Sequence, residues 1–222
     1  MTIPRTRYGA DLALLVAFAM CAGGCVSALS PPGLDEQAAA LHAIQLSPST
    51  RYAVAARNSG MHEQPSYQVA DMVSGKSAVV VVNKLGIQAV ALSHAVGSDW
   101  SNELARAKEA TGWVTAVDNE DFFRDAGFDG YVLITLYEEI EHYDGPKGHN
   151  NDREFRTFDP LYHIFALPRD QEKILLMRTG QDGRFSCETD DGQLENESVC
   201  VDTVVKRFRR KLDTRLERTD VN

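Results

Sequence analysis

Residues 131–143 read Tyr-Val-Leu-Ile-Thr-Leu-Tyr-Glu-Glu-Ile-Glu-His-Tyr, the longest strand-like stretch of the chain. Val132, Ile134 and Leu136 alternate onto one face of a pleated strand, and Glu139 and Glu141 onto the other. A period of two with one dry side marks a sheet rather than a helix. Upstream, Asn119 can cap a brief helix holding Phe122 and Phe123, which Gly127 ends. Before it, Trp113 to Val117 reads as a short strand and Asp99 to Ala110 as a helix. Downstream, a polar loop (Asp144 to Arg153) leads into a strand that Pro160 interrupts, since proline lacks a ladder N–H. Pro168-Arg169-Asp170-Gln171 turns the chain into a strand from Ile174 to Arg178. Val201, Val204, Val205, Phe208, Leu212 and Leu216 then give a closing amphipathic helix its apolar stripe.

The N-terminal half gives Leu34 to Leu46 as an alanine-rich helix, with Asp35 and Glu36 in its first turn. Tyr52 to Ala56 and Tyr67 to Val73 read as strands. Ser77 to Val82, almost all valine and alanine, reads as a strand buried on both faces, with Gly75-Lys76 as a hairpin turn before it. Asn83-Lys84-Leu85-Gly86 then turns into a hairpin strand, Ile87 to His94. Strands alternating with helices, followed by antiparallel strands and a closing helix, predict an α/β (mixed α+β) fold. Its single mixed sheet is flanked by helices, one N-terminal and one C-terminal and amphipathic.

At the start of the chain, Arg5 and Arg7 precede an apolar run from Leu12 to Met20. Small residues, Ala22-Gly23-Gly24, come next, and then Cys25. A positive region, a short apolar region and small residues at a cut site make a secretory signal peptide. The apolar run is far shorter than the ~20 residues needed to span a bilayer. Ala22-Gly23-Gly24-Cys25 resembles the lipobox of bacterial lipoproteins. The resemblance implies cleavage before Cys25, its acylation with palmitate or a similar chain, and attachment to a membrane through that lipid. By resemblance to enterobacterial sorting, Val26 after the cysteine implies the outer membrane, with the protein facing the periplasm. A rival cut after Val26-Ser27-Ala28 would release a soluble periplasmic protein instead. The expected organisation is a signal peptide at 1–24, a lipid-anchored tether and short helix at 25–50, one domain at 51–218, and a disordered tail at 219–222.

The whole chain holds 23 Lys and Arg against 32 Asp and Glu; the signal takes two of the first and one of the second, leaving a net −10. So acidic a body argues against nucleic acid, whose phosphates require Lys and Arg. Of four cysteines, Cys21 leaves with the signal and Cys25 takes the lipid. Cys187 and Cys200 remain as an even pair in an oxidising compartment, and they read as a disulfide. Their spacing matches neither a CxxC redox motif nor a zinc ligand set.

From Ile87 onward the order of elements resembles the small α/β domain of the curli secretion channel lipoprotein and the penicillin-binding-protein activator lipoproteins. The residues that carry it are Ala89-Val90-Ala91 before the helix at Trp100–Ala110, then Val117-Asp118, then Phe128-Asp129-Gly130-Tyr131-Val132 and a hairpin ending at Gly180. The Pro-Phe that this family carries after its first strand is replaced here by Ser93-His94. The resemblance bears on fold, and function does not follow from fold.

No strong catalytic motif follows. Residues 70–77, Ala-Asp-Met-Val-Ser-Gly-Lys-Ser, fit a loose phosphate-loop pattern, but they run into an expected strand where the motif needs a helix N-terminus. No nucleotide is expected. Glu138 and His142 share a strand face, and His163 could join them from the next strand; their ligand types suit a divalent metal, without any defined spacing. No metal or cofactor is therefore assigned. Lys206, Arg207, Arg209, Arg210 and Lys211 put five cations into six residues. They read as the solvated face of the closing helix, with anionic lipid contact as the alternative. There is no GxSxG and no spare cysteine nucleophile. The expectation is a non-enzymatic envelope lipoprotein that presents its domain to another envelope protein. A periplasmic hydrolase and a metal-binding periplasmic protein are the alternatives.

Overall fold

Tyr52-Ala53-Val54-Ala55-Ala56 is buried at every position. A strand dry on both sides needs cover on both faces of its sheet, and the fold supplies it. The computed structural model describes residues 32–58, 67–93, 120–143, 153–179, 183–189 and 194–220, all within one unit, Pro31–Asn222. In chain order its elements are α1 (Leu34–Gln45), β1 (Arg51–Asn58), α2 (Tyr67–Leu85), β2 (Gln88–Ala91), α3 (Glu120–Asp125), β3 (Gly130–Tyr143), β4 (Arg153–Ala166), β5 (Ile174–Thr179), β6 (Phe185–Thr189) and α4 (Leu194–Leu216). The fold is α+β: a six-stranded mixed sheet of order β2-β1-β3-β4-β5, with β6 also pairing β4.

β1 pairs in parallel with β2 and with β3, whereas β3–β4, β4–β5 and β4–β6 are antiparallel. α2 joins β1 to β2 and packs on one face. The return from β2 to β3 passes to the other side of β1, and α3 packs on the opposite face. Right-handed crossovers in opposite directions put their helices on opposite faces, and the strand order reverses between β1 and β3.

The larger core lies under α1, α2 and α4. It joins Val54, Val132, Ile134, Leu136, Tyr162 and Ile164 of the sheet to Val73, Val81, Val204 and Phe208 of the helices. The smaller core sits under α3, where Phe123 stacks on Tyr131 with ring centroids 4.5 Å apart, and Tyr131 on Phe165 at 4.8 Å. Gly130 begins β3 where Tyr52 crosses it; a Cβ there would collide with the Tyr52 ring and the Phe165 carbonyl. Cys187 of β6 and Cys200 of α4 are joined by a disulfide, with Cα atoms 5.7 Å apart. Among the described residues, no helix is long and apolar enough to cross a membrane.

Several sequence expectations are corrected. Residues 67–85 form one helix, not two strands about a Gly75-Lys76 turn. The buried positions Val69, Val73, Ser77, Val81 and Leu85 recur every fourth residue, while Val79 and Val82 are 59% and 42% exposed. β-branched residues favour strands only weakly, and a parallel β1–β2 pair requires a crossover helix. For the same reason β2 is not a hairpin strand: it is parallel to β1 and ends at Ala91. β4 runs unbroken through Pro160. On its outer side β6 pairs residues 154–158 and β5 pairs 162–166, so the proline sits in the gap where neither strand needs its N–H. α1 belongs to the packed body rather than to the tether, because Leu41 and Ile44 lie in the core. A 3₁₀ turn, Glu217–Asp220, carries the chain past the expected end at residue 218. Cys25, the helix at 99–110, the strand at 113–117 and the loop at 144–152 lie outside the described residues.

Candidate functional site

The face of the sheet that α3 covers is apolar at one end and polar at the other. Odd-numbered residues of β1, β3 and β4 share it, because Arg57 is opposite Thr135, Leu133 opposite His163, and Tyr137 opposite Asp159. The polar half lies toward the carboxyl end of β1, beside the reversal in strand order where open sheets commonly receive ligands. Arg57 donates from Nε to Thr135 Oγ1 at 3.2 Å. His163 stacks on Phe165 with centroids 5.6 Å apart, and Arg178 of β5 pairs with it in register. Among the described residues, the buried Nδ1 of His163 has no hydrogen-bond partner. Burial lowers the His163 imidazole to about 4, and the positive charges of Arg178 and Arg57 add to that. The ring is therefore neutral at pH 7 and a poor proton acceptor.

Further along the same face, Tyr137, Glu139, Thr157, Asp159 and Arg184 line a cavity of about 150 Å³. Arg184 donates to Glu139 Oε2 at 2.8 Å, and the hydroxyls of Thr157 and Ser186 lie 3.0 Å apart. Asp159 Oδ1 is buried and, among the described residues, has no partner. Four strand positions separate Asp159 from His163, about 13 Å along β4, so the two do not act on one atom. The arrangement offers charged and hydroxyl contacts to a bound group. Among the described residues it does not bring a nucleophile to a base.

The metal candidates stand apart in the backbone register. His163 stands opposite Leu133 in the β3–β4 register, while Glu138 and His142 stand opposite Phe158 and Glu154. In register His163 and Glu138 are five strand positions apart, about 17 Å along the backbone. The side chains of Glu138 and His142 lie outside the described residues. Among the described residues, no group of three or more His, Cys, Asp or Glu could hold a metal ion. The phosphate-loop pattern fails for a different reason from the one its sequence suggested. Gly75 and Lys76 sit inside α2, not in a loop before a helix, and Lys76 Nζ donates to Asp202 at 2.6 Å.

The basic cluster lies on α4 away from the core. Val201, Val204, Phe208 and Leu212 are buried, and Lys206, Arg209 and Arg210 are exposed. Thr203, Lys206, Arg207, Arg209, Arg210 and Asp213 line a partly open cavity of about 530 Å³ there. Arg207 donates to the Gly183 carbonyl at 2.8 Å and lies over the Phe185 ring, 4.4 Å from its centroid. Lys76–Asp202 and Lys84–Asp213 pairs tie the middle and the C-terminal end of α2 to α4.

Sequence reasoning missed Arg57, Thr135, Asp159, Arg178 and Arg184 as site residues. No local motif marks them; what gathers them is pairing across four strands.

No protein-family model matches the chain, and no curated protein matches it. The chain is similar to the solved structure of lipoprotein GNA1162 from Neisseria meningitidis, at 13% identity over 73% of this chain and 99% of that one, with a TM-score of 0.40. It is also similar to the hypothetical protein CT253 from Chlamydia trachomatis, at 10% identity over 76% and 96%, with a TM-score of 0.37. A minor lipoprotein from Acinetobacter baumannii is similar at 7% identity over 74% and 93%, with a TM-score of 0.32. These are distant likenesses, and none assigns a family or an activity to this chain.

Proposed function

We propose that the chain is a non-enzymatic cell-envelope lipoprotein, anchored through acylated Cys25 in the outer membrane and facing the periplasm, that presents its α+β domain to another envelope protein. The carrying observation is the run from Arg5 through Leu12–Met20 to Ala22-Gly23-Gly24-Cys25, an export signal ending at a lipid-accepting cysteine. The Cys187–Cys200 bridge suits an oxidising compartment outside the cytoplasm. The low basicity of His163, the imidazole at the strand-order reversal, supports a binding role over hydrolysis. The domain has no assigned cofactor, nucleotide or nucleic acid, and its net −10 charge disfavours the last.

The test is the mass of the mature N-terminus together with membrane fractionation. An acylated Cys25 at the N-terminus, and loss of the protein from membranes in Cys25→Ser, are expected. A chain beginning at Leu29 would replace this proposal with a soluble periplasmic protein. Mild cross-linking in whole cells, followed by purification from solubilised membranes, identifies the partner; recovery of the chain alone argues against an assembly role.

A further inference from the structure

We infer that the outward face of α4 is a docking surface for the anionic headgroups of a phospholipid bilayer, a contact additional to the lipid anchor and resting on the reading of Cys25 as its attachment point. The face is basic on a body of net −10 charge. Lys206, Arg207, Arg209 and Arg210 gather on it beside the acidic Asp202 and Asp213; Lys76 and Lys84 of α2 pair with these two acids, Asp213 also lies 3.9 Å from Arg209, and the basic side chains outnumber the acidic ones. Anionic headgroups are the complementary surface, and each Lys or Arg near them strengthens binding by about fivefold.

The short chain length between the proposed anchor and α1 favours a bilayer over other anions. α1 begins at Leu34 and crosses the C-terminal end of α4. Arg215 Nε donates to Gln37 at 3.1 Å, Arg218 lies 3.9 Å from Asp35, and His42 Nε2 lies 2.8 Å from the Leu216 carbonyl. Residues 26–33 between Cys25 and α1 can span about 28 Å at most, at ~3.5 Å per residue. Lys206 to Arg210 lie about 9–15 Å along α4 from Leu216, at 1.5 Å per residue. A lipid on Cys25 would therefore leave the basic stretch within reach of the membrane that holds it. Val79 and Val82, exposed on the neighbouring α2, add apolar surface of the kind an interfacial contact shelters.

Amine footprinting tests this. Mature protein isolated from cells is mixed with vesicles of phosphatidylcholine alone, or with added phosphatidylglycerol, and treated with a water-soluble amine reagent. Lys206 labelling slows on the anionic vesicles and recovers at about 1 M salt, where screening shortens to about 3 Å. Lys173, whose Nζ lies 5.6 Å from the centroid of the Phe165 ring on the other side of the sheet, labels equally on both. Arg209→Gln/Arg210→Gln, which removes two exposed cations, weakens the docking about thirtyfold and abolishes the protection. Equal Lys206 labelling on both vesicles, or full protection in the double variant, overturns the docking surface. The N-terminal peptide of the same digest reports the anchor separately. An acylated peptide without Lys206 protection sinks this surface alone; protection with an unacylated N-terminus sinks the lipoprotein reading alone.

Discussion

Tyr162 of β4 donates its hydroxyl hydrogen to the Val204 carbonyl at 2.9 Å, and its ring stacks on Phe208 with centroids 5.4 Å apart. One strand residue thus grips α4 through both a ring and a polar tip. Both rings are fully buried, in the same core as Val201 and Leu212.

Phe208→Ala leaves a cavity at this junction and costs about 3–5 kcal/mol. For a domain of this size each kcal/mol lowers Tm by about 2–4 °C. Tyr162→Phe keeps the stacking and loses the hydrogen bond, for about 1 kcal/mol. The two residues touch, so the double variant falls short of the sum. Arg209→Gln with Arg210→Gln lies off this stripe and changes stability by less than about 1 kcal/mol. Thermal melts of the four proteins check the order; unchanged melting of Phe208→Ala would mean that α4 does not pack as described.

The Cys187–Cys200 bridge ties β6, which pairs with β4 from residue 154 to 158, to the first turns of α4. Both sulfurs lie against the larger core. Cys187→Ser should cost about 2–5 kcal/mol, the usual range for losing a native bridge. In protein isolated from cells without reductant, neither cysteine should react with a thiol reagent before reduction. Two free thiols in the native protein would refute the pairing.

Gly130 is required by close approach rather than by backbone angle. Its missing side chain leaves room for the Tyr52 ring and the Phe165 carbonyl to close over the start of β3. Gly130→Ala should cost about 1–3 kcal/mol, the range for forcing a methyl into a packed site, and Gly130→Val more. Chemical denaturation measures both. A fully stable Gly130→Val protein would show that Tyr52 does not cross there.

β3 was legible in the sequence as a long apolar run between turn signals, although Tyr131 to Leu136 are buried on both faces of the sheet; α4 was legible because it has one dry side and one wet side, so burial writes a period of 3.6. α2 was not. Its buried positions do recur at helical spacing, but four consecutive valines, Val79 to Val82, hid that spacing behind strand propensity. Only the parallel pairing of β1 with β2 decides for the helix. Pro160 was misjudged likewise, since the gap between β5 and β6 that admits it depends on chain more than ten residues away. For the site, the sequence pattern sets His163 near Glu138, whereas the β3–β4 register places it opposite Leu133, five positions from Glu138. Its true companions, Arg57, Thr135 and Arg178, come from three other strands, and a register between distant strands leaves no local mark.

His163 makes stability depend on pH, with a sign opposite to that of an ion-paired histidine. Its folded value of about 4 lies below the 6.5 of an unperturbed imidazole, first through burial and then through Arg178 and Arg57. Well above pH 6.5 the ring is neutral in both states and contributes no pH dependence. As pH falls below 6.5 the unfolded chain binds a proton that the folded protein refuses, so stability declines until the ring also charges in the fold near pH 4. The ring is partly exposed, and solvent screening reduces the effect to about 1 kcal/mol between pH 7 and pH 5. His163→Gln keeps a polar side chain without a titrating proton. It should remove that part of the acid sensitivity while leaving the carboxylate contribution in place. Urea unfolding of both proteins at pH 7, 6 and 5 measures the difference. If the two lose stability in parallel, the imidazole is not held neutral among those arginines.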